Sequence, residues 1–73
     1  MPLTKVNQGK KVFIVDIQID TEFRKRLADM GLIHGAGVDV IQNSSTGPFI
    51  IGIKGSRIML DYQTAEKIIV EHK

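Results

Sequence analysis

The sequence has no cysteine and no tryptophan, and its 73 residues include only two prolines, one tyrosine and three phenylalanines. Without cysteine it can form neither a disulfide framework nor a thiolate metal site, and it has no cysteine nucleophile. Hydrophobic residues make up 42% of the chain and are mostly isoleucine, valine and leucine. We therefore expect a single domain over residues 1–73 with an aliphatic core, and the β-branched residues favour strands.

Long apolar runs and a strong charge imbalance are also missing. No run approaches the ~18 apolar residues of a membrane span, and the first apolar run, Val12–Val15, is too short for a signal peptide. Neither membrane insertion nor export is expected, which makes the cytoplasm the expected location. Ten basic and eight acidic residues give a net charge of +2. With so few aromatic residues for base stacking, no nucleic-acid partner is expected.

Two glycine patterns resemble nucleotide-binding loops but fail in detail. Gly35-Ala36-Gly37 lacks the third glycine of a dinucleotide loop and precedes a predicted strand instead of a helix. The stretch 47–52 has the glycine spacing of a phosphate-binding loop, yet Ile53 occupies the position of the required lysine. Nucleotide binding by this chain is therefore disfavoured.

Catalytic and metal-binding constellations are not indicated either. His34 and His72 do not form a ligand-spaced pair, and a terminal Glu71-His72 pair, which could hold a surface ion, is more often simply solvated. The serines at 44, 45 and 56 lie in predicted turns without a nearby histidine to activate them. We predict no catalytic residues, no metal site and no cofactor, and hence a protein that is not an enzyme.

One amphipathic helix is clearly predicted. Phe23, Leu27 and Met30 fall at i, i+4 and i+7 and form one apolar stripe, which we expect to pack as core against a sheet. Asp20 is a capping residue at the N-terminus of this helix. Gly31 follows the last periodic residue and supplies the left-handed conformation of a C-cap.

The rest of the chain reads as short strands joined by tight turns. We predict an opening turn at Leu3–Gly9 and then five strands, at Lys11–Ile17, Val38–Val40, Phe49–Ile53, Arg57–Leu60 and Lys67–Val70. The first strand is apolar on both faces, with Val12 and Ile14 on one face and Phe13, Val15 and Ile17 on the other. Asp61 is predicted to cap a short helical turn, Tyr62–Glu66, before the last strand. Antiparallel strands with such short connections favour a small closed barrel over an open sheet.

The order Arg26-Leu27, Met30-Gly31-Leu32 and Gly35 resembles a motif of the FeoA family of bacterial ferrous iron transport accessory proteins. The resemblance continues in the same order along essentially the whole chain. It is carried by the segments Leu3–Gly9, Gly47–Ile50, Gly55-x-x-Ile58-x-Leu60 and Ala65-x-x-Ile68-x-Val70.

This resemblance implies a mainly β fold, a small SH3-like barrel of about five antiparallel strands with one helix after the first strand and a short helical turn before the last. It also implies a cytoplasmic protein that regulates FeoB, a membrane permease with a cytoplasmic GTPase domain, through protein contact. A related barrel occurs at the C-terminus of metal-dependent repressors, but this chain has no helix-turn-helix portion. The alternatives are a nucleic-acid-binding barrel and a peptide-binding barrel, and a homo-oligomer is also possible.

Four residues near the helix are the candidates for partner binding, namely Arg24, Arg26, Leu32 and Ile33. Arg26 lies at the edge of the apolar stripe, where its stem can pack while its guanidinium stays in water. Leu32 and Ile33 follow the helix in a tight turn and cannot both easily face inward. We expect one of them to be exposed in an apolar docking patch and the other to contact the helix end.

Overall fold

Five antiparallel strands and two short helices are formed by residues 1–72, the part of the chain that the computed structural model describes. In chain order the elements are a 3-10 turn at Leu3–Lys5, β1 at Lys11–Ile17, α1 at Thr21–Asp29, β2 at Gly37–Gln42, β3 at Phe49–Ile53, β4 at Ser56–Leu60, α2 at Tyr62–Glu66 and β5 at Ile68–His72. The predicted fold class is confirmed. The bounds of β1, β3 and α2 are those predicted from the sequence, and those of β2, β4 and β5 shift by one or two residues.

The strands form one sheet in the order β4-β3-β2-β1-β5, and every neighbouring pair is antiparallel. The two end strands, β4 and β5, are joined by α2 and are not paired with each other within residues 1–72. The sheet encloses a mostly aliphatic core whose largest fully buried members are Phe49, Leu3, Ile14, Leu27 and Leu32.

A bulge in β1 changes which face its side chains occupy. The pairing with β5 skips a residue between Ile14 and Asp16, so Val15 has no direct partner. Because each extra residue reverses the alternation of faces, Ile17 turns inward and is buried, together with Val12 and Ile14. The expectation that Ile17 shares a face with Phe13 and Val15 is therefore wrong.

The hairpin between β3 and β4 is closed by a two-residue turn. Ile53 pairs with Ser56, and the two residues between them, Lys54 and Gly55, have φ values of 49° and 80°. Positive φ at both central residues is the type I′ geometry, whose twist matches that of the flanking strands. The predicted tight hairpin is confirmed.

Both ends of α1 are capped as the sequence predicts. The side chain of Asp20 accepts a hydrogen bond of 2.9 Å from the backbone N–H of Phe23. At the other end Gly31 has a φ of 94°. Its N–H donates to the carbonyl of Ala28, and the N–H of Leu32 donates to the carbonyl of Leu27, both at 2.9 Å. This pair of bonds is the Schellman motif.

The apolar stripe of α1 does not lie flat on the sheet. Leu27 is the only buried residue of the helix, whereas Phe23 is 36% exposed and Met30 is 46% exposed. The expectation that all three residues are core contacts is wrong for Phe23 and Met30. The helix is held at its C-terminal end, where the Schellman turn brings the buried Leu32 against Leu27, and its first turn stands away from the core.

Asn43 links the end of β2 to the opening turn. Its side-chain amide donates to the backbone carbonyls of Thr4 and Val6 at 3.0 and 2.8 Å, and its backbone N–H donates to the side chain of Gln8 at 2.8 Å. These bonds satisfy carbonyls that the short 3-10 turn leaves free. The segment before β1 is thereby fixed to the sheet.

Candidate functional site

A groove with a volume of about 260 Å³ lies between β1 and the side of α1. The chain path explains its position. β1 pairs with β2 only over Lys11–Phe13, although it pairs with β5 as far as Ile17. On the side of α1, the second half of β1 therefore faces the helix and the loop after it in place of a strand.

Most of the groove is apolar, with charged and ionisable side chains among its lining residues. It is lined by Ile14, Val15, Asp16, Ile17, Arg24, Ala28, Leu32, Ile33 and His34. Arg24 and Ala28 are one helical turn apart and present the same side of α1 to the groove. Such an arrangement suits the binding of an apolar side chain whose neighbours are polar.

Arg24 is tied to the strand across the groove. One of its guanidinium nitrogens, Nη2, donates a hydrogen bond of 2.5 Å to the backbone carbonyl of Ile17. The carboxylate of Asp16 accepts from the backbone N–H of Ile17 at 2.9 Å. The positive and negative groups of the groove are thus held at the same end of β1, which fixes their spacing.

The loop after α1 separates Leu32 and Ile33. Leu32 is 1% exposed because its N–H closes the Schellman motif and its side chain turns into the core. Ile33 is 50% exposed. Its N–H donates to the carbonyl of Gly31 and its carbonyl accepts from Ala36, both at 3.0 Å, so the exposed side chain projects from a hydrogen-bonded backbone.

The four predicted partner-binding residues do not form one exposed patch. Arg24, Leu32 and Ile33 line the groove together, whereas Arg26 lines a separate hollow with Asp20, Glu22 and Phe23. Leu32, one of the four candidates, is buried by the helix cap. The expectation that one of Leu32 and Ile33 is exposed and the other buried at the helix end is confirmed.

Sequence reasoning missed Val15, Asp16, Ala28 and His34 as groove residues. His34 follows Ile33 directly, so the sequence already showed that it lies next to a candidate residue. Val15 and Asp16 reach the groove only because the bulge and the short β1–β2 pairing leave this part of β1 beside α1. No local pattern signals that approach.

Two further observations concern metals and stacking. Within residues 1–72, no group of three or more His, Asp or Glu side chains is placed to hold a metal ion. Tyr62 packs edge to face against Phe49 with ring centroids 6.5 Å apart. The ring of Tyr62 therefore contributes to packing.

The comparison with family models gives the FeoA domain over residues 1–72. This chain belongs to the FeoA family. It is 37% identical over 70 residues to a candidate Fe(2+) transport protein A of Methanocaldococcus jannaschii, a match that covers 96% of this chain and 84% of the relative. FeoA proteins are small non-enzymatic accessory proteins of Fe(2+) transport, in agreement with the prediction that this chain is not an enzyme.

Solved FeoA structures share the fold over nearly the whole chain. The crystal structure of an iron uptake regulatory protein, FeoA, superposes with a TM-score of 0.84 at 32% identity, covering 97% of this chain and 93% of that one. The solution structure of FeoA from Chlorobium tepidum gives a TM-score of 0.90 at 26% identity, covering 99% of this chain and 70% of that one. The SH3-like fold and the suspected family are confirmed.

The same fold is part of a larger regulator. The manganese regulator SloR matches with a TM-score of 0.82 at 18% identity, covering 100% of this chain but 34% of the regulator. At that identity the likeness concerns the fold alone. Within residues 1–72, no helix is both long and apolar enough to cross a membrane.

Proposed function

We propose that this FeoA protein regulates ferrous iron uptake by binding the cytoplasmic part of an FeoB-like permease, which contains the GTPase domain. The protein acts in the cytoplasm, where that part of the permease lies, and the permease binds the GTP and the iron. Membership of the FeoA family and the Fe(2+) transport name of the archaeal relative support this proposal.

The observation that carries the proposed contact is the exposure of Ile33 beside the apolar groove. Half of this large side chain is in contact with water, although the loop that holds it is hydrogen-bonded. Burying it against a partner gains about 1 kcal/mol of hydrophobic free energy, since full burial of an isoleucine gains about 1.5–3 kcal/mol. An apolar side chain of the partner fits the groove next to it, and Arg24 offers the remaining guanidinium donors to a partner carboxylate or carbonyl.

The proposal is tested by titrating the purified protein with the cytoplasmic part of FeoB from the same organism, without nucleotide and with GDP or a non-hydrolysable GTP analogue. We expect saturable binding, and nucleotide dependence would assign the regulation to the GTPase cycle. The titration is repeated with Ile33→Glu and with Met59→Glu, a matched control in which an exposed apolar residue of β4 acquires the same charge.

Ile33→Glu is expected to weaken binding at least tenfold, because about 1.4 kcal/mol corresponds to a tenfold change and the new carboxylate must also be desolvated. Met59→Glu should bind as the unmodified protein does. Absence of binding in every nucleotide state would refute the regulatory proposal, and equal losses in both variants would refute the assignment of the groove.

The alternative is a nucleic-acid-binding or peptide-binding barrel, and its support is the fold likeness to the manganese-activated repressor ScaR. Nucleic-acid binding would weaken steeply with salt, because each phosphate contact releases counterions. A titration with mixed-sequence DNA at two salt concentrations separates this alternative from the regulatory function.

A further inference from the structure

The two edges of the sheet are treated differently by the chain. At β5 the N-terminal residues add a short extra pairing. The amino group of Met1 donates to the carbonyl of Val70 at 3.0 Å, the N–H of Val70 donates to the carbonyl of Met1 at 2.7 Å, and Pro2 bridges Ile69. A proline on an edge discourages further strand pairing. At the other edge, β4 has β3 as its only strand neighbour among residues 1–72, and its outer side is not paired with a strand of this part of the chain.

β4 carries few of the devices that protect an edge strand, and Arg57 is its one charged residue. It pairs with β3 over all five of its residues without a register shift, and it contains neither proline nor lysine. Met59, near its C-terminal end, is 68% exposed, more than any other large apolar residue of the described chain. An open edge with an exposed apolar side chain is a template for a further strand.

The hairpin geometry determines which backbone groups of β4 are free. In a two-residue type I′ hairpin the closing pair, here Ile53 and Ser56, is hydrogen-bonded, and hydrogen-bonded pairs then alternate along the ladder. The even-numbered residues of β4 therefore direct their N–H and C=O groups at β3. The groups of Arg57 and Met59 point to the open edge.

This alternation of inward and outward backbone groups restricts how a second copy of β4 can pair with the first. An antiparallel two-fold pairing must place Arg57 and Met59 opposite residues that also present their groups outward. Centring the axis on Arg57 would oppose two arginines, and centring it on Ile58 would oppose Arg57 with Met59. Centring it on Met59 places Arg57 of each copy opposite Asp61 of the other, at the residue that follows β4 in extended conformation.

We propose that two copies of this protein associate through β4, antiparallel and with the two-fold axis at Met59. The two methionines then meet at the axis on the outer face, and an Arg57–Asp61 ion pair lies on each side of them. The surface is therefore self-complementary, as a two-fold interface requires. Asp61 is an exposed residue and caps α2 with one carboxylate oxygen, Oδ1, which leaves the other to face Arg57. A hollow of about 480 Å³ beside Met59 and Asp61 leaves room on this flank.

The association is expected to be weak. Pairing through one five-residue edge buries less than the ~1,200 Å² typical of stable complexes. We therefore expect monomers at low micromolar concentration and an increasing dimer fraction towards millimolar concentration.

Cysteine crosslinking tests the register directly, because the native chain has no cysteine. In the proposed pairing the two Met59 Cα atoms are about 5.5 Å apart, within the range of a disulfide. The two Arg57 Cα atoms are about 14 Å apart, four residues at about 3.4 Å each, which no disulfide spans. On mild oxidation Met59→Cys should form a covalent dimer. Arg57→Cys should remain largely monomeric, and so should the control Ile33→Cys, an exposed position outside β4.

Sedimentation velocity between about 10 μM and 1 mM tests the association without a crosslink. Arg57→Asp places like charges opposite each other and should weaken dimerisation at least tenfold, whereas Lys10→Asp, the same charge change outside β4, should leave it unchanged. A protein that stays monomeric up to millimolar concentration, or a Met59→Cys variant that crosslinks no faster than Ile33→Cys, would overturn the proposal.

Discussion

Arg24 reaches across the groove to Ile17 and donates a guanidinium hydrogen bond of 2.5 Å to its backbone carbonyl. The bond joins the first half of α1 to the end of β1, at a place where the helix buries no side chain of its own. It therefore positions the helix relative to the strand as well as placing a positive charge at the groove.

Replacing Arg24 with alanine is expected to lower the free energy of unfolding by about 1 kcal/mol, the usual net contribution of such a bond. In a domain of this size that is a decrease in Tm of about 4–8 °C. Lys25→Ala is the matched control, since it removes the same charge from the next, exposed residue of the helix. Equal melting temperatures for the two variants would show that the bond adds no stability.

The neighbouring residues Leu32 and Ile33 should respond oppositely to truncation. Leu32→Ala removes a fully buried side chain and is expected to cost about 2–5 kcal/mol, a large share of a total of about 4–11 kcal/mol. Ile33→Ala should cost no more than about 1 kcal/mol, because half of the side chain is already exposed. Urea unfolding followed by circular dichroism measures both, and similar losses in the two variants would contradict the split at the helix exit.

Gly31, in the cap of α1, should be sensitive to substitution. Its φ of 94° lies in the left-handed region, and an added Cβ would contact the Cδ1 atom of Ile53 at 3.4 Å. Gly31→Ala is expected to cost about 1 kcal/mol or more. Gly31→Asn should cost less, because asparagine tolerates this backbone conformation better. An unchanged Tm in Gly31→Ala would remove the Schellman turn as a source of stability.

The sequence predicted local structure well because caps, turns and strand alternation are local properties. Asp20, Gly31 and Asp61 each marked a helix end correctly. Helical periodicity shows which side chains share a face, but not how closely that face approaches the sheet, so it did not reveal that Phe23 and Met30 are exposed. The distance between the helix face and the sheet depends on how the helix cap directs the chain into the core.

The groove could be predicted only in part for the same reason. Ile33 was found because two adjacent apolar residues in a tight turn cannot both face inward. Asp16 and Val15 were missed, since their position depends on a bulge that inserts one residue into the β1–β5 ladder. Alternating apolar residues do not show where such an insertion occurs, and Ile17 was assigned to the wrong face by the same effect.

Asp61 should make the stability of α2 depend on pH in the acid range. Its carboxylate accepts a hydrogen bond of 2.7 Å from the backbone N–H of Thr64, which lowers the pKa of Asp61 below its usual value of about 3.9. A pKa that is lower in the folded than in the unfolded chain stabilises the fold above the unfolded pKa. This stabilisation is lost as the pH falls through the folded pKa.

We expect an NMR titration of the Asp61 carboxyl group to show a midpoint below its usual value. In Asp61→Asn the cap retains an oxygen acceptor but no ionisable group, so the difference in Tm between the variant and the unmodified protein should shrink as the pH falls below about 4. The comparison isolates the charge from the hydrogen bond. A carboxyl midpoint at or above the usual value would contradict the assignment, and so would a Tm difference that does not change with pH.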